Sequence, residues 1–196
     1  MKRKNRTWII VVVILALLFL TGIRRYNRFI TIEERVTNQW ANVESVYQRR
    51  ADLIPNLVST VRGYADFEQE TLTQVIEARA KATSVNVDAN NLNPQYLAAF
   101  QQAQEGLGSA LSRLLVTIER YPELKANQNF LELQSQLEGT ENRIAVERRR
   151  YNEVVREYNT GIRRFPSNVI ASVTGFEPKG YFEATEGSET APVVEF

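Results

Sequence analysis

RRADLIPNLV, Arg49 to Val58, places a proline inside a run that is otherwise helical in character, and its reading decides how many helices the chain makes. In one reading Arg49 and Arg50 close a helix, where cations meet the negative end of the helix dipole. Asp52 then caps a new helix and Pro55 falls in its first turn, where a missing N–H costs nothing because those amides have no intrahelical acceptor. In the other reading a single helix is kinked at Pro55, forfeits the hydrogen bond to the Ala51 carbonyl and loses about 3 kcal/mol. The apolar Leu53 and Ile54, poorly suited to an exposed turn, favour the second. Segment lengths favour the turn: it yields helical patterns at about 26–51 and 53–82, which match the pattern at 94–121 as neighbours in an up-and-down bundle should.

Upstream, Phe29, Val36, Trp40, Val43 and Tyr47 recur at intervals of three, four and seven, the stripe of an amphipathic helix. Before it, Trp8 to Leu20 is an unbroken apolar run, extended by Thr21, Gly22 and Ile23 and bracketed by the interfacial aromatics Trp8 and Tyr26. This is close to the shortest length that spans a bilayer. The exit, LTGIRRY, lacks the small residues of a signal-peptidase site, so residues 8–25 read as an uncleaved transmembrane signal anchor behind a basic flank at 1–7. Lys2, Arg3, Lys4 and Arg6 precede the span and Arg24, Arg25 and Arg28 follow it. The cationic excess on the N-terminal side is one residue, and it places the soluble part outside the cytoplasm of a single-pass inner-membrane protein. Only Gly22 interrupts the stretch between span and stripe, so the two can form one continuous rod.

Downstream, Leu57, Val61, Tyr64, Leu72, Val75 and Ile76 are the expected inward face of the second helix. TSVNVDANNLNP, 83–94, reads as a loop, and Asn93 before Pro94 opens the third helix. The small patch Gly106, Gly108, Ser109 and Ala110 predicts close approach of a neighbouring helix. From about Lys125 to Phe165, Phe130, Leu137, Ile144, Tyr151, Tyr158 and Phe165 recur every seventh residue, with Leu133, Val155 and Ile162 between them. That repeat gives left-handed, coiled-coil-like packing. This helix is longer than its expected partners, so part of it is expected to project or to pair with a second protomer. Residues 166–196 change character: prolines, aromatics and an excess of glutamate predict one short helical piece at 167–172 and an extended acidic tail whose aromatics hold parts of it to the bundle. The fold class is therefore all-α: an N-terminal transmembrane helix, an antiparallel up-and-down four-helix bundle over 26–165, and an extended C-terminal tail.

Composition narrows the chemistry. The 196 residues contain no cysteine and no histidine, and the formal charge is +1. Disulfides, thiolate nucleophiles, Ser-His pairs and Cys/His zinc sites are excluded, and a near-neutral chain gives no field for nucleic acid. Carboxylate pairs such as Glu68 with Glu70 and Glu153 with Glu157 read as surface charge, so neither a catalytic residue nor a cofactor or metal is expected.

The blocks RRADLIPNLVSTVRGYADFEQETL, ARAKA, RYPELKANQNFLELQSQLEGTENRIAVERRRYNEVVREYN and VTGFEPKGYFEATEGSETAPVVEF resemble the LemA family of bacterial membrane-anchored proteins. The resemblance implies one membrane helix and a four-helix up-and-down bundle, which supports the turn at Pro55. It implies a setting in specialised bacterial membrane compartments or beside membrane proteases, and it supplies no catalytic residues.

Five residues stand out as candidate interaction positions. Glu141 and Arg148 occupy seam positions where leucine is the usual choice; a polar layer there fixes register, or binds an anionic head group or a partner. Tyr151 and Tyr158, each followed by asparagine, share one face, either as core tyrosines whose hydroxyls reach the bundle edge or as a recognition surface. Phe196 closes VVEF, an ending suited to a PDZ-type groove. The expected function is a non-enzymatic membrane scaffold acting through protein–protein contacts, homo-oligomeric, with the bilayer as partner through residues 8–25. The alternative is an adaptor for a neighbouring membrane protease or hydrolase, engaged by the tail.

Overall fold

The computed structural model describes residues 2–63, 68–85, 87–89 and 91–183, with side chains from Trp8 onward. Helix α1 runs without a break from Lys2 to Arg62, 61 residues with Pro55 inside it. At 1.5 Å per residue it is about 90 Å long. The turn expected at Asp52 does not form, and the separate helices at 26–51 and 53–82 do not exist.

Two observations explain why the proline is tolerated. Ala51, Ile54, Leu57, Val58 and Val61 are all buried, carrying the stripe of Phe29, Val36, Trp40, Val43 and Tyr47 onward in phase. A turn would reset that phase and expose part of it, at about 1.5–3 kcal/mol for each large side chain. The Ala51 carbonyl, which Pro55 cannot serve, instead accepts a 2.8 Å hydrogen bond from Arg79 Nε of the next helix. The acceptor freed by the proline thus joins two helices.

Replacing Arg79 by methionine should therefore cost about 1–2 kcal/mol in the native background. The cost should be far smaller in Pro55→Ala, where the new amide takes over the Ala51 carbonyl. A double-mutant cycle by urea titration checks this; equal costs in both backgrounds would show that Arg79 acts through something else.

Helix α2 (Gln69–Ser84) descends beside α1, α3 (Pro94–Ile118) rises, the short α4 (Pro122–Lys125) turns the chain, α5 (Gln128–Arg163) descends, and α6 (Ser167–Thr174) lies at the base. Asn93 and Asn127 cap α3 and α5, their side chains accepting from the amides of Tyr96 and Phe130. Arg35 pairs with Glu157 and, four turns higher, Arg50 pairs with Glu141, which fixes α1 and α5 antiparallel. Arg120 to Glu68 and Gln104 to the Ala82 carbonyl do the same for α2 and α3. The bundle is up-and-down, as expected, although its first strut is the upper part of α1 and its second is short.

The core has two parts. Far from the span, four helices enclose Ile54, Leu57, Leu107, Leu114, Phe130 and Leu137. Nearer the span α2 has ended, and the core of Phe29, Trp40, Phe100, Tyr151 and Tyr158 is closed by Val87 and Leu92, between α2 and α3, and by Phe182.

Along α5, Phe130, Leu137, Ile144, Tyr151, Val155, Tyr158 and Ile162 are buried as the seven-residue repeat requires. The burial extends along the whole helix because α1 accompanies it throughout, so α5 does not project. Phe165, expected in the repeat, lies beyond the helix end and is 83 % exposed. Ile76 is also exposed, since α2 turns only the narrow stripe of Leu72, Val75 and Ala82 inward; Tyr64 lies outside the described residues. No helix approaches Gly106 or Gly108: a Cβ built on either meets nothing within 4 Å. Trp8 to Leu20 is exposed almost throughout, and among the described residues α1 alone is long and apolar enough to cross a membrane.

Candidate functional site

Where α1, α3 and α5 diverge beside the end of α2, a groove of about 830 Å³ opens. Arg50 forms its floor. Counting by sevens from Phe29 through Val36 and Val43 arrives at Arg50 and then Leu57, so this arginine holds a core position of α1. The local sequence made it a helix-terminal cation; because the helix continues, it is 3 % exposed instead.

Its charge is compensated on every side but one. Nη1 donates to Glu141 Oε1 at 2.8 Å, and Nη2 donates to the side-chain and backbone oxygens of Gln104 at 2.6 and 3.1 Å. The guanidinium lies 5.1 Å from the Tyr47 ring centre, and Nε has no partner. Burial raises the Tyr47 phenol above its ordinary range, the neighbouring Arg148 and Arg50 opposing it. Arg50, Arg113 and Arg148 face Glu105, Glu141 and Glu183 around the groove. Cations and anions are equal in number around the groove, so a partner would have to match a pattern of both signs. The groove is open because the small residues Gly108, Ser109 and Ser112 line it where no helix packs.

Glu141 and Arg148 thus come together in one groove, while Tyr151 and Tyr158 do not join them. The two tyrosines are 0 % and 1 % exposed, and their hydroxyls, expected at the bundle edge, are buried without a hydrogen-bond partner. Burial pushes both phenols well up, with Glu33 and Glu177 adding to the effect at Tyr158. Phenols held protonated in this way are poor general bases. Phe196 lies outside the described residues. Among the described residues no group of three or more Asp or Glu side chains is arranged to hold a metal.

The asparagines of the repeated Tyr-Asn pairs hold the chain that follows α6. After α6 ends at Gly175 (φ 79°), the chain runs extended along α5. Asn159 accepts from the Lys179 amide and donates to the Lys179 carbonyl, both at 2.9 Å. One heptad earlier Asn152 holds Phe182 in the same way, at 2.9 and 2.8 Å. Gln101 of α3 repeats the double bond with Glu183, and Arg148 Nη2 donates to the Glu183 carbonyl while lying 4.9 Å from the Phe182 ring centre. Three carboxamides act as peptide groups and give an isolated strand the pairing a sheet would supply. Gly180 lets the strand approach α3, since a Cβ there would come within 2.9 Å of Pro94 Cα. Its amide donates to the Leu92 carbonyl at 2.8 Å.

The family model described as the LemA family matches residues 39–196, from the Trp40 region through the strand and beyond. The chain belongs to the LemA family. Among the LemA-related proteins it is similar to are the magnetosome protein MamQ 2 of Paramagnetospirillum magneticum, 28 % identical over 89 % of this chain and 70 % of the relative, and the magnetosome protein MamQ of Magnetospirillum gryphiswaldense, 27 % identical over the same shares. Protein LemA of Metamycoplasma hominis is 23 % identical, covering 88 % of this chain and 75 % of the relative. None of these names states a reaction.

Proposed function

We propose that this LemA-family protein is a non-enzymatic scaffold anchored in the bacterial cell membrane through residues 8–25, which works through protein–protein contacts that include contacts between its own copies. The observation that carries the reading is the unbroken course of α1 from the candidate span to Arg62. A catalytic domain on a tether needs no such rod, whereas a scaffold gains from one that holds its contact surfaces at a set height and orientation above the bilayer. The charge-balanced groove around Arg50, Glu141 and Arg148 is the contact surface with the most pattern to recognise. The magnetosome names of relatives fit work at a membrane compartment. The one-residue excess of cations before the span supports an extracytoplasmic bundle.

The second reading, an adaptor for a membrane protease or hydrolase engaged through the C-terminal tail, 166–196, draws on the course of that tail: Glu183 sits at the groove rim, held by Gln101 and Arg148. Photo-crosslinkers at Ser109 and Ser112 in living cells separate the two. Products between copies of the chain support the scaffold; a single foreign membrane enzyme, lost on truncation after Glu183, supports the adaptor. A detergent-solubilised protein that stays monomeric over a wide concentration range would remove self-association from the proposal.

A further inference from the structure

Two large apolar side chains of α6 are exposed at the base of the bundle, and they share one face. Val169 and Val173 are 55 and 82 % exposed and lie four residues apart on the helix. The opposite face of α6 is used, since Ser167 and Ala171 are buried against the bundle. The helix is held in position by its neighbour in the chain: Phe176 packs on Tyr26 and Phe29, with ring centres 5.7 and 5.3 Å apart.

The surroundings of this face identify what covers it. Val169, Ile170 and Val173 of α6 form one apolar groove of about 460 Å³ with Phe19, Ile23 and Tyr26 of α1. Phe19 and Ile23 belong to the apolar run itself, so whatever surrounds the end of that run also meets α6. Phe19 precedes Arg24 by five residues, about 7 Å along the helix axis, which is the depth at which interfacial helices bury their apolar face. Arg24, Arg25 and Arg28 beyond the run, and Arg163 and Arg164 before α6, are all exposed. They form a cationic collar where lipid phosphates would stand.

We infer that α6 is a second membrane contact, lying in the interface of an anionic bilayer with Val169 and Val173 at the boundary between head groups and acyl chains. The inference rests on the proposed anchoring of residues 8–25. It adds a consequence: with α1 and α6 both held by lipid, the bundle is fixed in tilt and rotation as well as in height.

The chain has no cysteine, so single nitroxide labels can be attached without background. Val169→Cys, Val173→Cys, Leu15→Cys in the apolar run and Gln69→Cys at the far end of the bundle are labelled in the full chain. Each is reconstituted in vesicles of phosphatidylethanolamine and phosphatidylglycerol, and collision with oxygen is compared with collision with a water-soluble nickel chelate. The expected result is a ratio of oxygen to nickel collisions at 169 and 173 several-fold above that at 69 and below that at 15, unchanged when the protein is diluted into more lipid. Ratios at 169 and 173 equal to that at 69, with Leu15 still lipid-exposed, would overturn the inference alone. A water-exposed Leu15 would overturn the anchoring reading beneath it. Spin–spin broadening at 169 or 173 that disappears on dilution with unlabelled protein would show a second copy covering the face and would also overturn the inference.

Discussion

Replacing Trp40 by alanine should lower the stability of the bundle by about 3–5 kcal/mol, the range for deleting a large aromatic from a packed core. Trp40 is 1 % exposed and joins four parts of the chain. From α1 its ring meets Phe100 of α3 edge-on at 5.2 Å and Tyr151 of α5 at 5.7 Å, and it stacks on Phe182 of the extended segment at 6.1 Å. No helix stands ready to collapse into the space, because α2 has already ended at this height and the loop and strand that replace it are held by their own hydrogen bonds. Urea titration of the full chain in detergent, followed by far-ultraviolet circular dichroism, reads the loss. Ile76→Ala, at an exposed position, serves as the comparison and should change little. A Trp40 variant no less stable than the Ile76 variant would mean that the core near the span is not organised around this ring.

Asn152→Leu and Asn159→Leu should each cost about 2 kcal/mol, and together they should release the strand. Each carboxamide satisfies one backbone N–H and one backbone carbonyl of the strand. Leucine is close in volume and serves neither, leaving partly buried peptide groups at about 1–3 kcal/mol apiece before any relaxation. Phe182 is buried only while the strand is in place, so its release also uncovers the faces of Trp40 and Tyr151. Limited proteolysis gives the clearest readout: the double variant should be cut within 176–183 under conditions that leave the native chain intact. Asn159→Asp should behave like the leucine variant, because a carboxylate keeps the acceptor for the Lys179 amide but turns a second oxygen toward the Lys179 carbonyl. An unchanged cleavage pattern in the double variant would show that Phe182 packing alone holds the strand.

Both results bear on how far the chain could be read before its structure. The stripes of α1 and α5 were legible because helical packing repeats at about three and a half residues, and each apolar position carries its own driving force for burial. The cap at Asn93 was legible for a similar reason: its bond closes within three residues. Arg50 was misread through that same local logic. A cation near a proline resembles a helix terminus, and only the heptad from Phe29 through Val43 to Leu57 marks it as a core position. Asn152 and Asn159 were visible as repeats, yet their partners lie 20 to 30 residues away in a strand with no periodicity of its own.

The sequence alone determined that there is an apolar run fit to span a membrane, that a helical bundle follows it, and the apolar core stripes of α1 up to Tyr47 and of α5 up to Ile162, since all of these follow from solubility and short-range hydrogen bonding. Pro55 shows what was left to tertiary structure. Whether a helix continues through a proline depends on who serves the carbonyl four residues before it, and here the donor, Arg79, comes from another helix 28 residues later. Local rules price the lost bond, but only the packed chain supplies its replacement, and with it the choice between a hinged bundle and a single rod.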